Sequence, residues 1–317
     1  MQYPVHYVLE KAFTLLVELK RQDSAKSPPS TLSGLFYPPG LPSKLISSKL
    51  FRRQHWCVAV GKVQTMAYRY GFDLIGMNWV ENLSWSLHGP DVAIIREEED
   101  AMPPVFFWSS SHLDDTSDEN VLAARAGSLK KLFDGALYLV HGYGFRPERL
   151  GELWDLQGEH RMGFRELTDT KSPFSLAVRA KPLSDTERHA VQEKLIAGSL
   201  YAARTDQVVR GMLNVLGTHG LTLVSLYSLR DTMKTHGMPE KEQWEVANAS
   251  KADWDLFRHT ANNFEVSGAD ARHGDLGHNA PPDPMPLERA SGLILEAVRT
   301  FISRRIRAAT AHLGPPR

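Results

Sequence analysis

Residues 173–187 read PFSLAVRAKPLSDTE, and the character of the chain changes within this stretch. Apolar residues stand at every second position from Phe174 to Ala180, which is typical of a half-buried strand. Ser184 and Glu187 then have the spacing of a capping box, in which each side chain bonds a backbone amide at the start of a helix. The stretch therefore predicts the end of a strand-containing part and the start of a helical one.

The rest of the chain extends this division in both directions. We expect an α+β protein, with a mixed module over residues 1–180 and an all-helical bundle over residues 181–317. In the first part the predicted elements are a helix at Val5–Arg21, strands at 56–60, 83–87, 91–96, 105–109 and 173–180, and a helix from Ser117 to about Val140. In the second they are helices at 184–203, 205–217, 221–236, from Ser250 onward, and 287–312. Residues 146–163 show no clear pattern.

The composition excludes several classes of protein. The chain has 317 residues, with 37 Lys and Arg against 37 Asp and Glu. A net charge of zero argues against a protein that coats nucleic acid or a membrane surface through a broad basic face. The single cysteine, Cys57, cannot form an internal disulfide, and a chain with no disulfide fits a reducing compartment. No apolar run is long enough to span a bilayer. We therefore expect a cytoplasmic protein with no membrane partner.

Residues 257–278 read FRHTANNFEVSGADARHGDLGH and carry the residues most suited to chemistry. Arg272 and Arg258 are each followed by a histidine, and His278 closes the stretch. An Arg guanidinium is always charged, and its planar fork of donors suits a phosphodiester. A histidine can exchange a proton with a ribose hydroxyl or a leaving oxygen near neutral pH. RNA carries its own nucleophile, the 2′-OH, so such a site needs no metal or other cofactor.

The run Arg272-His273-Gly-Asp-Leu-Gly-His278 resembles the signature of the HEPN superfamily, in which an Arg and a polar residue are followed, after a short spacer, by a His. The run also falls between the last two predicted helices, as it does in that superfamily. The resemblance covers about residues 184–312. HEPN proteins are helical bundles, and many are metal-independent ribonucleases of toxin–antitoxin, CRISPR and antiphage systems. The resemblance therefore implies an RNA-cleaving protein of the defence or toxin type.

The same resemblance implies roles for individual residues. Arg272 would hold the scissile phosphate and His278 would act as the acid or base, supported by His273. The residues expected to orient RNA are Arg258, Asn262 and Asn263. A homodimer is implied as well, because HEPN domains commonly place two such motifs face to face. In a second possible register, Arg258-His259 forms the Arg-polar element and the ARHG run at 271–274 supplies the histidine.

Three other interpretations remain open. Arg272 can instead pair with Asp270, Asp275 or Asp283 in a purely structural loop. The protein can be a non-enzymatic sensor or adaptor, whose N-terminal module binds a protein or small-molecule ligand while the helical part dimerises. A metal-dependent hydrolase built around His112 and Asp114 is the third, although no second ligand motif accompanies these two residues.

Overall fold

A computed structural model describes residues 68–75, 80–87, 89–97, 103–268 and 279–314. All of them belong to one compact unit. The helix predicted at Val5–Arg21 and the strand predicted at 56–60 lie outside the described residues. Within the described ranges, no helix combines the length and the apolar character needed to cross a bilayer.

Five strands in the described ranges form one antiparallel sheet. They are β1 (Tyr70–Ile75), β2 (Ala93–Glu97), β3 (Val105–Ser109), β4 (Arg149–Asp155) and β5 (His160–Gly163), in the order β2-β3-β1-β4-β5. Phe72 at the centre pairs with Trp108 on one side and Leu153 on the other, and all three side chains are buried. The sheet thus contributes one face of large apolar side chains to the core.

Eleven α-helices are defined in the described ranges. The first three are α1 (Val80–Ser86), α2 (Glu119–His141) and α3 (Leu176–Ala180). The next five are α4 (Asp185–Glu193), α5 (Leu195–Ala203), α6 (Gln207–His219), α7 (Leu223–Thr235) and α8 (Glu240–Val246). The last three are α9 (Lys251–Asn262), α10 (Phe264–Ser267) and α11 (Leu287–Thr310).

The long helix α2 joins the sheet-containing part to the helical part. It packs against α5 and α6, and α11 packs against α5 and α7. Side chains from β1, α2, α6 and α11 belong to one hydrophobic cluster, which therefore includes residues on both sides of position 180. The predicted order, with a mixed part followed by a helical part, is confirmed as an α+β arrangement. The division into two domains at residue 180 stays a prediction.

Glycines allow α2 and α6 to approach each other closely. A β-carbon at Gly217 of α6 would lie 1.8 Å from the carbonyl oxygen of Lys131 in α2. In the opposite direction, a β-carbon at Gly135 of α2 would lie 2.1 Å from the carbonyl oxygen of Leu213. Backbone therefore meets backbone at two points of this helix pair, which only a residue without a β-carbon permits.

Two predicted strands are wrong. Residues 83–87 belong largely to helix α1, where Val80, Leu83 and Leu87 are buried at helical spacing and the Leu87 amide donates to the Leu83 carbonyl at 2.8 Å. Residues 173–180 end in helix α3, which Ser175 caps. Leu176 is 77% exposed. The alternation of apolar residues from Phe174 to Ala180 therefore does not mark one buried face.

Other boundaries differ from the predicted ones. The helix predicted over 184–203 is two helices, because the backbone of Lys194 is extended at φ −107° and ψ 121°. Residues 146–163, which show no clear sequence pattern, contain β4 and β5. In β4, Gly151, Glu152 and Leu153 are buried in succession, so no period-two alternation is available to read. The strands at 91–96 and 105–109, the capping box at Ser184 and the long helix before residue 141 are confirmed.

A buried ion pair in α2 leads to a prediction about pH. Lys130 donates to both carboxylate oxygens of Asp134, at 2.5 and 2.6 Å, and both residues are buried. Burial raises the pKa of Asp134 to about 6, against the opposing effect of Lys130. The folded protein therefore binds this proton more tightly than the unfolded chain does. The stabilising contribution is present below about pH 4 and is lost as the pH rises through about 6.

The double variant Lys130→Met/Asp134→Leu tests this. We expect it to match or exceed the parent in free energy of unfolding at neutral pH, since apolar replacement of a buried pair is often neutral or stabilising. Near pH 4 the parent gains on the order of 2–3 kcal/mol because Asp134 is protonated in the folded state, and the variant has no such gain. The free energy of unfolding of the variant, relative to the parent, should therefore be lower by that amount at pH 4 than at pH 7. Urea unfolding at the two pH values measures both quantities. An equal difference between variant and parent at both values contradicts the prediction.

Candidate functional site

The predicted catalytic residues Arg272, His273 and His278 lie outside the described residues, which break off after Gly268 and resume at Asn279. The chain on either side is anchored. The backbone amide of Met285 donates to the Thr260 hydroxyl of α9 at 3.0 Å, in a buried position. The amide of Ala280 donates to the Glu265 carboxylate of α10 at 3.0 Å. Residues 269–278 therefore connect two stretches of chain that are bonded to each other.

The three residues predicted to bind substrate differ in their surroundings. Arg258 is 40% exposed and forms an ion pair with Asp255 at 3.3 Å, one turn earlier on α9. Asn263 is buried, and its side-chain oxygen accepts from the Val266 amide at 3.1 Å, which caps α10. The side-chain oxygen of Asn262 is buried and has no hydrogen-bond partner among the described residues. Asn263 thus stabilises the start of α10, while the side-chain oxygen of Asn262 accepts no hydrogen bond from the part of the chain that the structure describes.

A second group of polar side chains lies between the sheet and the helices. Asp91, His112 and Arg204 are all buried. One carboxylate oxygen of Asp91 accepts from His112 Nε2 at 2.8 Å and from Arg204 Nε at 2.7 Å. These residues are far apart in the sequence, at the approach to β2, after β3 and at the end of α5. The fold brings them together.

The His112 ring is fixed on both of its nitrogens. The backbone amide of Ser175 donates to Nδ1 at 3.1 Å, so the ring proton lies on Nε2 and is directed to Asp91. Phe174 packs edge-on against the ring at 5.2 Å between centroids. Because both nitrogens are engaged, His112 has no lone pair for a metal, which removes the basis of the metal-dependent hydrolase. Within the described ranges, no three His, Cys, Asp or Glu side chains are grouped as metal ligands.

Asp115 continues the network outward. It accepts from the Ser175 hydroxyl and from Arg125, and Arg125 also donates to the His112 carbonyl at 2.9 Å. These two hydrogen bonds hold the pKa of Asp115 below its ordinary value, although burial opposes them. Asp115 is therefore a fixed anion that ties α3 to the start of α2.

A cavity of about 410 Å³ opens beside this network, and we call it the Arg204 cavity. The polar residues that line it are Tyr68, Ser111, Asp114, Asp115, Lys181, Glu187 and Arg204. Burial raises the pKa of Asp114, against the hydrogen bonds that it accepts from the amides of Arg69 and Tyr70. Burial, followed by the charges of Glu187, Asp114 and Asp91, raises the pKa of Tyr68 to about 12. Tyr68 is thus a neutral hydroxyl at physiological pH.

The Arg204 cavity was only partly visible in the sequence. His112, Asp114 and Asp115 stand out as a local cluster, but their partners Asp91 and Arg204 have no local motif. A lone Arg at the end of a helix and a lone Asp after a Gly-Pro turn are common surface features. No sequence spacing would have indicated that they are buried against each other.

No protein-family model, curated protein or solved structure matches this chain.

Proposed function

We propose that this protein cleaves RNA without a metal, at the Arg/His segment that connects α10 to α11. The observation that supports the proposal most is that the described chain on the two sides of that segment is bonded together, through Thr260 and Met285 and through Glu265 and Ala280. Flanking stretches held in this way suit a catalytic loop, because catalysis requires groups that are positioned before substrate arrives. The helical surroundings of α9 and α11 agree with the resemblance to the HEPN superfamily.

In this proposal the roles follow from the chemistry of each side chain. His278 takes the proton of the ribose 2′-OH or supplies one to the departing 5′-oxygen, and His273 assists. The 2′-oxygen attacks phosphorus, the bond to the 5′-oxygen breaks, and a cyclic phosphate remains. Arg272 binds the charge that builds on the phosphate oxygens. Arg258 and Asn262 orient the RNA, and Asn262 is preferred to Asn263 because its side-chain oxygen has no hydrogen-bond partner among the described residues.

The test is incubation of the purified protein with total RNA in the presence of EDTA. We expect cleavage by the parent, and a loss of about 10²-fold or more in Arg272→Ala and His278→Ala, since a general acid or base contributes at least that factor. The matched controls are Arg179→Ala and His219→Ala, at exposed positions of α3 and α6. Circular dichroism should be the same for all variants. Undiminished cleavage by both loop variants would refute the assigned roles.

The dimer implied by the resemblance adds a second measurement. If two Arg/His segments act face to face, light scattering should give a mass of about two chains, and dilution should lower cleavage per chain. A monomeric protein with full activity would contradict this part of the proposal and leave the chemistry of the single loop intact.

A second candidate function is a non-enzymatic sensor, and one observation favours it. The Arg204 cavity is lined by charged side chains of both signs, and no step of RNA cleavage needs it. In this case a ligand occupies the cavity while the helical part contacts a partner. Absence of RNA cleavage together with ligand binding that survives Arg272→Ala and His278→Ala would favour the sensor.

A further inference from the structure

Helix α3 exposes an apolar side chain next to a cationic one. Leu176 is 77% exposed, the largest fraction of any large apolar side chain in the described ranges. Arg179 and Ala180, three and four residues later, are exposed as well. In a helix these spacings place side chains on the same side. One side of α3 therefore presents an apolar group and a positive charge to solvent together.

This short helix is anchored at its start. The Ser175 amide donates to His112 Nδ1, and the Ser175 hydroxyl donates to Asp115. The amide of Arg179 donates back to the Ser175 carbonyl at 3.1 Å. Phe174, directly before the helix, is buried. The fold thus holds α3 in place, and the exposed side chains belong to a preformed surface.

A second arginine adds to the positive charge beside α3. Arg210 of α6 donates to the carbonyls of Ala203 and Arg204, both at 2.8 Å, and its guanidinium lies 5.5 Å from the centroid of the Phe174 ring. Burial lowers the pKa of Arg210, and the positive charge of Arg179 lowers it further. The two guanidinium groups therefore repel each other.

No carboxylate in the described ranges forms an ion pair with Arg179 or Arg210. Asp115, which is bonded to the start of α3, is already paired with Arg125. The carboxylates of the Arg204 cavity share its lining with Lys181. Two unpaired guanidinium groups beside an exposed apolar residue therefore indicate a partner that brings anions and an apolar group.

The chemistry of these side chains distinguishes between kinds of partner. RNA bases stack on aromatic rings, and this side of α3 carries none. A single large apolar side chain on a five-residue helix is too little to anchor a protein at a bilayer. A protein segment can bring carboxylates, which match the planar fork of a guanidinium, together with an apolar side chain. Arginine is also enriched at protein interfaces.

We infer that Leu176, Arg179, Ala180 and Arg210, which we call the α3 surface, bind an acidic segment of a partner protein. Carboxylates of that segment pair with the two guanidinium groups, and one of its apolar side chains packs on Leu176 and Ala180. The inference goes beyond RNA cleavage and does not depend on it, nor on a ligand in the Arg204 cavity.

The first experiment titrates the full chain into a fluorescein-labelled peptide of four Glu-Leu-Glu-Ala repeats and follows fluorescence anisotropy. We expect a dissociation constant below about 1 mM. A peptide with Ser in place of every Leu and one with Lys in place of every Glu should each bind at least about tenfold more weakly, since one lacks the apolar groups and the other the anions. Equal binding of the three peptides, or no binding of the first, overturns the inference.

Two exposed substitutions locate the peptide on the α3 surface. Leu176→Ser and Arg179→Glu should each weaken binding at least about tenfold and leave the Tm of the free protein nearly unchanged. The matched controls are Phe164→Ser, at an apolar side chain that is 70% exposed, and Arg149→Glu, at an exposed arginine of β4. Both controls should bind the peptide as the parent does. Full binding by Leu176→Ser and Arg179→Glu would refute the inference.

Two further probes separate the classes of partner. Vesicles of phosphatidylserine and single-stranded poly(U) are each titrated with the parent, Leu176→Ser and Arg179→Glu. If either probe binds the parent more tightly than the peptide does and is lost in both variants, a membrane or RNA replaces the protein partner. RNA cleavage by Leu176→Ser should equal that of the parent, so a failure of the proposed cleavage leaves the peptide test unaffected.

Discussion

Gly217→Ala is expected to lower the free energy of unfolding by about 3 kcal/mol, at the upper end of the cost of inserting a methyl group into a packed interior. The new β-carbon would lie 1.8 Å from the Lys131 carbonyl oxygen and 2.6 Å from its carbon. These are backbone atoms in the middle of α2, so no side-chain rotation can relieve the overlap. The two helices must separate, and the surrounding core loses contacts with them.

A matched control is available in the same helix. A β-carbon at Gly211 has nothing within 4 Å. Gly211→Ala should therefore stabilise the protein by about 0.5–1 kcal/mol, the intrinsic preference of a helix for Ala over Gly. Urea unfolding followed by circular dichroism compares the two variants with the parent. If both variants shift stability in the same direction, the close approach of α2 and α6 is wrong.

Asp91→Ala should cost about 3–5 kcal/mol, the range for removing one partner of a buried ion pair. The change leaves the Arg204 guanidinium without its counter-charge and His112 Nε2 without an acceptor. Both of these groups are buried and cannot turn to water. Asp91→Asn, which keeps an acceptor oxygen in place, should lose less stability than Asp91→Ala.

The control for Asp91 is an exposed carboxylate of another ion pair. Asp169 is 61% exposed and pairs with Lys131. Asp169→Ala should change the free energy of unfolding by about 0–1 kcal/mol, the usual value of a surface pair. Equal losses in Asp91→Ala and Asp169→Ala would show that burial does not govern the Asp91 pair.

What the sequence predicted well is local. The capping box predicted at Ser184 is present, since a capping box needs only residues three apart. The helix predicted from Ser250 onward begins after that residue. The strands at 91–96 and 105–109 were also recognised, because their apolar residues form short continuous runs. Such features depend on neighbours along the chain and need no knowledge of the fold.

The wrong predictions arise where residues distant in the sequence determine the local structure. Val80, Leu83 and Leu87 fit helical spacing, but Leu83 and Leu87 with Trp85 between them equally fit a strand. At 173–180 the alternation was real, yet the core covers Phe174 and leaves Leu176 in solvent. Beside the Arg204 cavity, Arg204 donates a hydrogen bond to Asp91, which lies 113 positions earlier in the chain. No local sequence pattern predicts a contact over that separation.

The paired glycines of α2 and α6 also restrict how this protein can move. Sliding one helix along the other by a single residue, about 1.5 Å, would carry a side chain into the position where Gly135 or Gly217 now faces a carbonyl. Sliding of α2 along α6 is therefore blocked, and the two helices form a rigid pair. A displacement of α2 is therefore expected to carry α6 with it as one rigid body.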